Sequence, residues 1–317
     1  MQSQNSRRMI NEAIRENSLA RLIAALETVK DNSPSSLQQL LPSALGQCIR
    51  RGSIDLVRYL LEHEQAPITS LSPLAISENP SIALIELLLA HGWDINQAED
   101  GGLLGQARKL IDLVCNDGQL IRWLVEHGAR VTDGEIDDYA LFPQPAPLLE
   151  TCAVRGSVTS FRYLQEKGAL LGRRALHRAA GEAAAFGTDP FIDSQEGYDV
   201  ETCCEVEDEG SSGYARMRKE RAEMLIFLVD EMKLDVNAMD SATPHPAYHW
   251  GTPLCYAAVK ENGAGVVSWL LERGAKPTVK TAQNVADADA EELAKAMRCE
   301  ENARILREWK QVHGEDE

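Results

Sequence analysis

Internal repetition constrains this chain more than any other feature. Residues 251–277 read GTPLCYAAVKENGAGVVSWLLERGAKP, two short helical patterns joined by a turn. The first opens at Thr252-Pro253, where threonine can cap a helix and proline suits its first turn. The second runs from Val266 to Glu272 and puts Val266, Val267, Leu270 and Leu271 on one apolar face. Gly274 follows, a residue suited to a left-handed helix stop. A helix pair this small cannot cover its own apolar face, so neighbouring pairs must cover it.

The same grammar returns, weakened, at residues 43–63, 72–96, 119–129 and 147–169. ALHRAA at 175–180 starts a further unit whose second helix is delayed to MLIFLVDEMKLDVN at 224–237. Arg8 to Lys30 and Ala288 to Lys310 read as end caps. The pattern resembles the ankyrin-repeat family. The resemblance rests on Gly251, Thr252, Pro253, Leu254, Ala257, Ala258, Leu270, Leu271, Gly274 and Ala275, and on Leu176, His177, Ala179 and Ala180 in the preceding unit. It covers nearly the whole chain, with several degenerate units. It implies an all-α solenoid of helix-turn-helix units with hairpin-like finger loops, about seven units including caps at a period of ~33 residues. A length of 317 residues alone would suggest about two domains. The repeats instead imply one domain over 1–317, with an N-terminal cap at 1–36, an acidic insert at 186–213 and a C-terminal cap and tail at 278–317.

A formal net charge of −17 repels phosphate backbones, so nucleic acid is not an expected partner. The seven cysteines form no CxxC pair, and an odd count in a long chain argues against a disulfide framework and for a reducing compartment. The N-terminus lacks an apolar signal core, and no apolar run approaches spanning length. The expectation is a soluble cytoplasmic or nuclear protein with no membrane partner.

Departures from the repeat point to function. The family places a histidine in the first helix that ties loops together by hydrogen bonds, and His177 fills that position. In the next unit the position is Cys255, expected as a small buried thiol. The insert Phe186 to Gly213 carries Asp189, Asp193, Glu196, Asp199, Glu201, Glu205, Glu207, Asp208 and Glu209 with no lysine or arginine. Such a segment reads as a solvated insert or as a lid anchored by Phe191, Ile192 and Tyr198. Met239 to Trp250 enlarges the next finger, stiffened by Pro244 and Pro246 and ending in Tyr248, His249 and Trp250. Val131 to Pro147 forms another long finger, offering Tyr139 and Phe142. The basic run Arg216 to Arg221 reads as a solvated helix face.

Tests for chemistry are weak. His245 and His249 with Cys203 and Cys204 do not supply a convincing tetrahedral zinc set, because adjacent cysteines rarely share an ion. A Cys203 or Cys204 nucleophile with His249 as base would sit among carboxylates that oppose thiolate formation. The insert lacks the ladder of a calcium loop, and Gly101 to Gly105 lacks the lysine of a phosphate loop and reads as part of another finger. No metal and no cofactor is expected. Acid–base chemistry by His249 or Tyr248 stays open.

The resemblance implies a module that binds a protein partner through its concave face and fingers. The expected contacts are Tyr139, Phe142, Tyr248, His249, Trp250 and Tyr256, aromatic anchors of the kind that dominate interfaces. The acidic surface favours a basic partner. The alternative is an ankyrin scaffold turned into a small-molecule pocket or enzyme, with the insert as lid.

Overall fold

The computed structural model describes residues 2–32, 34–69, 71–99, 108–132, 146–194, 209–240, 251–281 and 287–314. Among these residues there are seventeen α-helices and no strand, only an isolated bridge between Ala98 and Lys109. Contacts gather the chain into two compact units, Met1–Arg130 and Val131–Glu317.

The first unit comprises α1 (Gln2–Arg15), α2 (Leu19–Asn32), α3 (Pro34–Arg50), α4 (Ile54–Glu62), α5 (Pro73–Ser77), α6 (Ile82–Ala90), α7 (Leu110–Leu113) and α8 (Gly118–Glu126). The second comprises α9 (Leu148–Arg155), α10 (Val158–Glu166), α11 (Ala175–Ala185), α12 (Pro190–Asp193), α13 (Glu209–Ile226), α14 (Pro253–Ala258), α15 (Ala264–Glu272), α16 (Ala290–Ala296) and α17 (Glu300–His313). Apart from α12 they alternate as eight pairs. The expectation is about seven units; α7, at four residues, is the shortest first helix among them. In each unit the first helices of successive pairs pack in one row: α1, α3, α5 and α7, then α9, α11, α14 and α16. Small residues permit this close approach. Ala175, Ala179, Ala180, Ala183 and Ala184 of α11 are buried, as are Ala257 and Ala258 of α14.

The second helices carry the larger apolar side chains and share one frame. α6, α8, α10 and α15 are each nine residues long. Ser81, Asp117 and Ser157 cap the first three, accepting from Leu84, Leu120 and Ser160 backbone N–H groups at 3.2, 2.9 and 3.2 Å. Each of the four ends on a glycine with φ between 84° and 97°: Gly92, Gly128, Gly168 and Gly274. The next N–H, from Trp93, Ala129, Ala169 or Ala275, reaches back to Leu88, Leu124, Leu164 or Leu270 at 2.9 to 3.0 Å. This is one helix stop used four times.

α13 breaks the frame. It begins at Glu209, well before the apolar stretch that announced it, because its first turns lack an apolar stripe for periodicity to reveal. It continues into a π turn, Phe227–Glu231. There Asp230 accepts from Arg273 Nε at 3.1 Å and Nη2 at 3.0 Å, and Glu231 pairs with Arg162. Arg273 also lies 3.8 Å from the Trp269 ring centroid. Two flanking second helices are thus tied to this turn.

Two sequence expectations shift here. The described start of the insert is ordered. Thr188, Pro190 and Asp193 are buried, while Phe191 and Ile192 are exposed; Tyr198 lies outside the described residues. Asp193 accepts from Asp189 N–H at 2.7 Å and from Arg218 at 3.1 to 3.2 Å. The basic run is also not a uniform solvated face. Arg221 is buried and donates to the carbonyls of Arg155 and Gly156 at 3.1 and 3.3 Å, closing the end of α9.

Candidate functional site

Three loops are closed at their base by backbone pairing. Glu99 N–H donates to Arg108 C=O at 2.8 Å, Asp240 to Gly251 at 3.2 Å, and Thr281 to Ala288 at 2.9 Å. These are the stems of the expected hairpin-like fingers. Between them, residues 100–107, 241–250 and 282–286 lie outside the described residues, and Asp287 is described.

The stem at 238–240 is the most heavily secured. His177 Nε2 lies 2.8 Å from Ala238 O. A carbonyl only accepts, so Nε2 carries the proton. Burial holds the His177 pKa below its ordinary 6.5, outweighing the Ala238 carbonyl and nearby Asp240, so the ring is neutral near pH 7. Tyr256 donates its hydroxyl to Asp240 Oδ2 at 2.7 Å. Burial, then the Asp240 charge, pushes the phenol pKa far up, so it remains a donor. The two rings meet edge to face, 5.4 Å between centroids. Gly251 completes the stem with φ +80°, and a Cβ there would meet Thr281 Cγ2 at 3.0 Å.

An acid–base row continues from this stem across the first helices. Glu150 of α9 is buried and accepts from Arg174 N–H at 2.9 Å. The Arg174 and Arg178 guanidiniums each lie 3.6 Å from its other oxygen. Both arginines are half-buried at the α11 surface.

A repeated asparagine joins neighbouring pairs. In Asp94-Ile-Asn96 and Asp235-Val-Asn237 the aspartate Oδ1 accepts from the asparagine N–H, at 2.9 and 2.8 Å. Asn96 then donates to Gly128 C=O at 3.0 Å and accepts from Arg130 N–H at 2.7 Å. Asn237 does the same with Gly274 C=O at 2.9 Å and Lys276 N–H at 2.8 Å.

Of the expected contact residues, Tyr139, Phe142, Tyr248, His249 and Trp250 lie outside the described residues, as do His245, Cys203 and Cys204. Tyr256 is described, half-buried, with its hydroxyl engaged in holding the stem. His177 makes the loop tie expected of its position. Cys255 is buried, and burial raises its pKa. Thr252 does not cap α14 with its side chain. Its hydroxyl donates to Cys255 Sγ at 3.5 Å instead. Cys48 is likewise pushed up to about 12 by burial. These thiols are packing groups. Sequence reasoning missed Asp240, Glu150, Arg174 and Arg178. Glu150 alone had a signal, an acid inside the apolar run LLETCAV.

Stacked helix pairs, a repeated glycine stop and paired finger stems define a helical-repeat protein of the helix-turn-helix kind. The ankyrin repeat family model matches residues 251–282, which supports an ankyrin-repeat family with degenerate repeats elsewhere in the chain. No curated protein matches the chain. Among the described residues no helix is long and apolar enough to cross a membrane.

Proposed function

We propose that this chain is a protein-binding module whose partner lies against the first-helix row of the second unit and touches the finger at 241–250. Ankyrin repeats are protein-binding modules, and the particular surface is our reading. The observation that carries it is the stem: His177, Tyr256 and Gly251 fix Ala238 and Asp240 by three hydrogen bonds. A fixed stem lowers the entropy lost when the tip meets a partner. Tyr248, His249 and Trp250 are the central anchors in this reading, with Tyr139, Phe142 and Tyr256 beside them. Net charge −17 favours a basic partner and salt-sensitive association. The five described cysteines are all buried, and this suits a reducing, cytoplasmic or nuclear setting.

The test places a photo-crosslinking amino acid at 248 and at 250, identifies the captured protein, and measures its affinity for the purified chain. Tyr248→Ala with Trp250→Ala should weaken binding at least ~10-fold, as loss of interface anchors does. Unchanged affinity overturns the surface. Capture of a small molecule by the same tip would favour the converted-scaffold alternative.

A further inference from the structure

A second polar feature lies in the first unit, in the groove between α1 and the end of α3. It has a volume of about 620 Å³ and is lined by Arg7, Arg8, Arg15 and Arg51 against one carboxylate, Glu12. Arg7, Arg8, Asn11, Glu12 and Arg15 form one face of α1, recurring at helical spacing, while Ile10, Ala13 and Ile14 are buried on the other. Arg8 already binds Glu12 at 2.8 Å. Among the described residues Arg7, Arg15 and Arg51 make no ion pair, although the Arg15 charge acts on the Glu12 carboxylate. Their neighbours do: Arg50 pairs with Glu78 at 3.1 Å and Arg58 with Glu62 at 3.5 Å. Three guanidiniums without an ion pair therefore line one groove in a chain of net charge −17.

We propose that this groove docks an acidic peptide segment of a partner protein. The groove falls within the roughly 300–1,000 Å³ of ligand clefts, too roomy for one small anion. The cations are also spread out. Arg7 and Arg15 are eight residues apart on α1, about 12 Å at the helical rise. An extended peptide covers that span in about four residues, at ~3.3 Å each. Carboxylates four residues apart can each meet a planar guanidinium fork. Asn11 and Gln47, which also line the groove, carry amides that donate and accept, the functions needed to hold peptide main chain between the charges. A nucleic acid would bring polyphosphate against the remaining acidic surface, which a short acidic peptide avoids.

The test uses the full chain and a fluorescein-labelled hexaglutamate peptide, followed by anisotropy. Binding should saturate and weaken as salt rises. Arg7→Ser, Arg15→Ser and Arg51→Ser together should weaken it at least ~10-fold. Arg58→Ser, Arg216→Ser and Arg304→Ser remove the same charge away from the groove and should change it less than ~2-fold, by screening. If the serine variant does not fold, the corresponding glutamine variant replaces it. Absent saturation, or equal loss in both sets, overturns the proposal. Displacement of the peptide by inorganic phosphate at equal concentration overturns it in favour of an ion site, and displacement by a short DNA duplex in favour of nucleic acid.

Discussion

The finger stem of the second unit and the arginine groove of the first are both clusters of polar side chains on first helices, and they spend those groups in opposite ways. At the stem, His177, Asp240 and Thr252 are buried, and their bonds run inward to the chain itself. In the groove, Arg7, Arg15 and Arg51 are exposed and carry no ion pair among the described residues. Burial enforces satisfaction, because an unpaired buried polar group costs about 1–3 kcal/mol. Exposure removes that demand and leaves charge free for another molecule. The stem should therefore report in stability and the groove in binding.

The sharpest way to break this contrast is His177→Ala. It deletes a buried ring and its bond to Ala238, and should cost about 2–4 kcal/mol in urea unfolding of the intact chain. A loss below about 0.5 kcal/mol would place His177 among surface residues in effect. The pH dependence sharpens the test. Burial lowers the His177 pKa, so the unfolded chain binds this proton more readily. The histidine's contribution is full above its ordinary 6.5 and falls as the solution is acidified through that value. The alanine variant should lack this component of the decline.

Tyr256→Phe should cost less, about 1–2 kcal/mol, by removing one charge-assisted bond to a buried carboxylate. Asp240→Asn keeps an oxygen that can accept from the phenol and should cost less again. A Tyr256→Phe variant as stable as wild type would mean that Asp240 finds another donor, and that Tyr256 is free to act as the contact the sequence proposed.

These residues also mark what the sequence could reveal. The helix pairs were legible because apolar spacing and Gly274-like stops record local physics. His177 and Cys255 were legible through their place in the repeat. Asp240 was not, since its partner Tyr256 is sixteen residues away across an enlarged finger. Arg221 looked solvated for the same reason: the carbonyls it caps are 65 and 66 residues earlier. The early turns of α13 were hidden because a polar helix leaves no amphipathic trace.

The C-terminal cap offers an intermediate case, partly buried and fully paired. Burial alone would raise the Glu291 pKa, yet hydrogen bonds from Lys295, Lys310 and Arg307 hold it down to about 2. Its folded value lies below the usual 4.5, so the stabilisation is present above 4.5 and lost as pH falls toward 2. Glu291→Gln should cost about 1–2 kcal/mol at pH 7, less than the whole shift implies because the surrounding cations are partly solvated. The wild type and variant should converge near the lower end of that window. Parallel stability curves across it would show that the carboxylate charge contributes nothing to holding α16 and α17.

The smallest stability effect should come from the groove. Arg7→Ser, Arg15→Ser and Arg51→Ser together should move the unfolding free energy by no more than about 0.5 kcal/mol, because each side chain is exposed and unpaired. If the triple variant instead loses as much as Tyr256→Phe, the guanidiniums are holding α1 against α3, and the groove belongs with the stem as internal architecture. A silent stability profile with a strong loss of peptide binding would separate the two clusters by the property that distinguishes them: whether the partner of each charged group is part of the same chain.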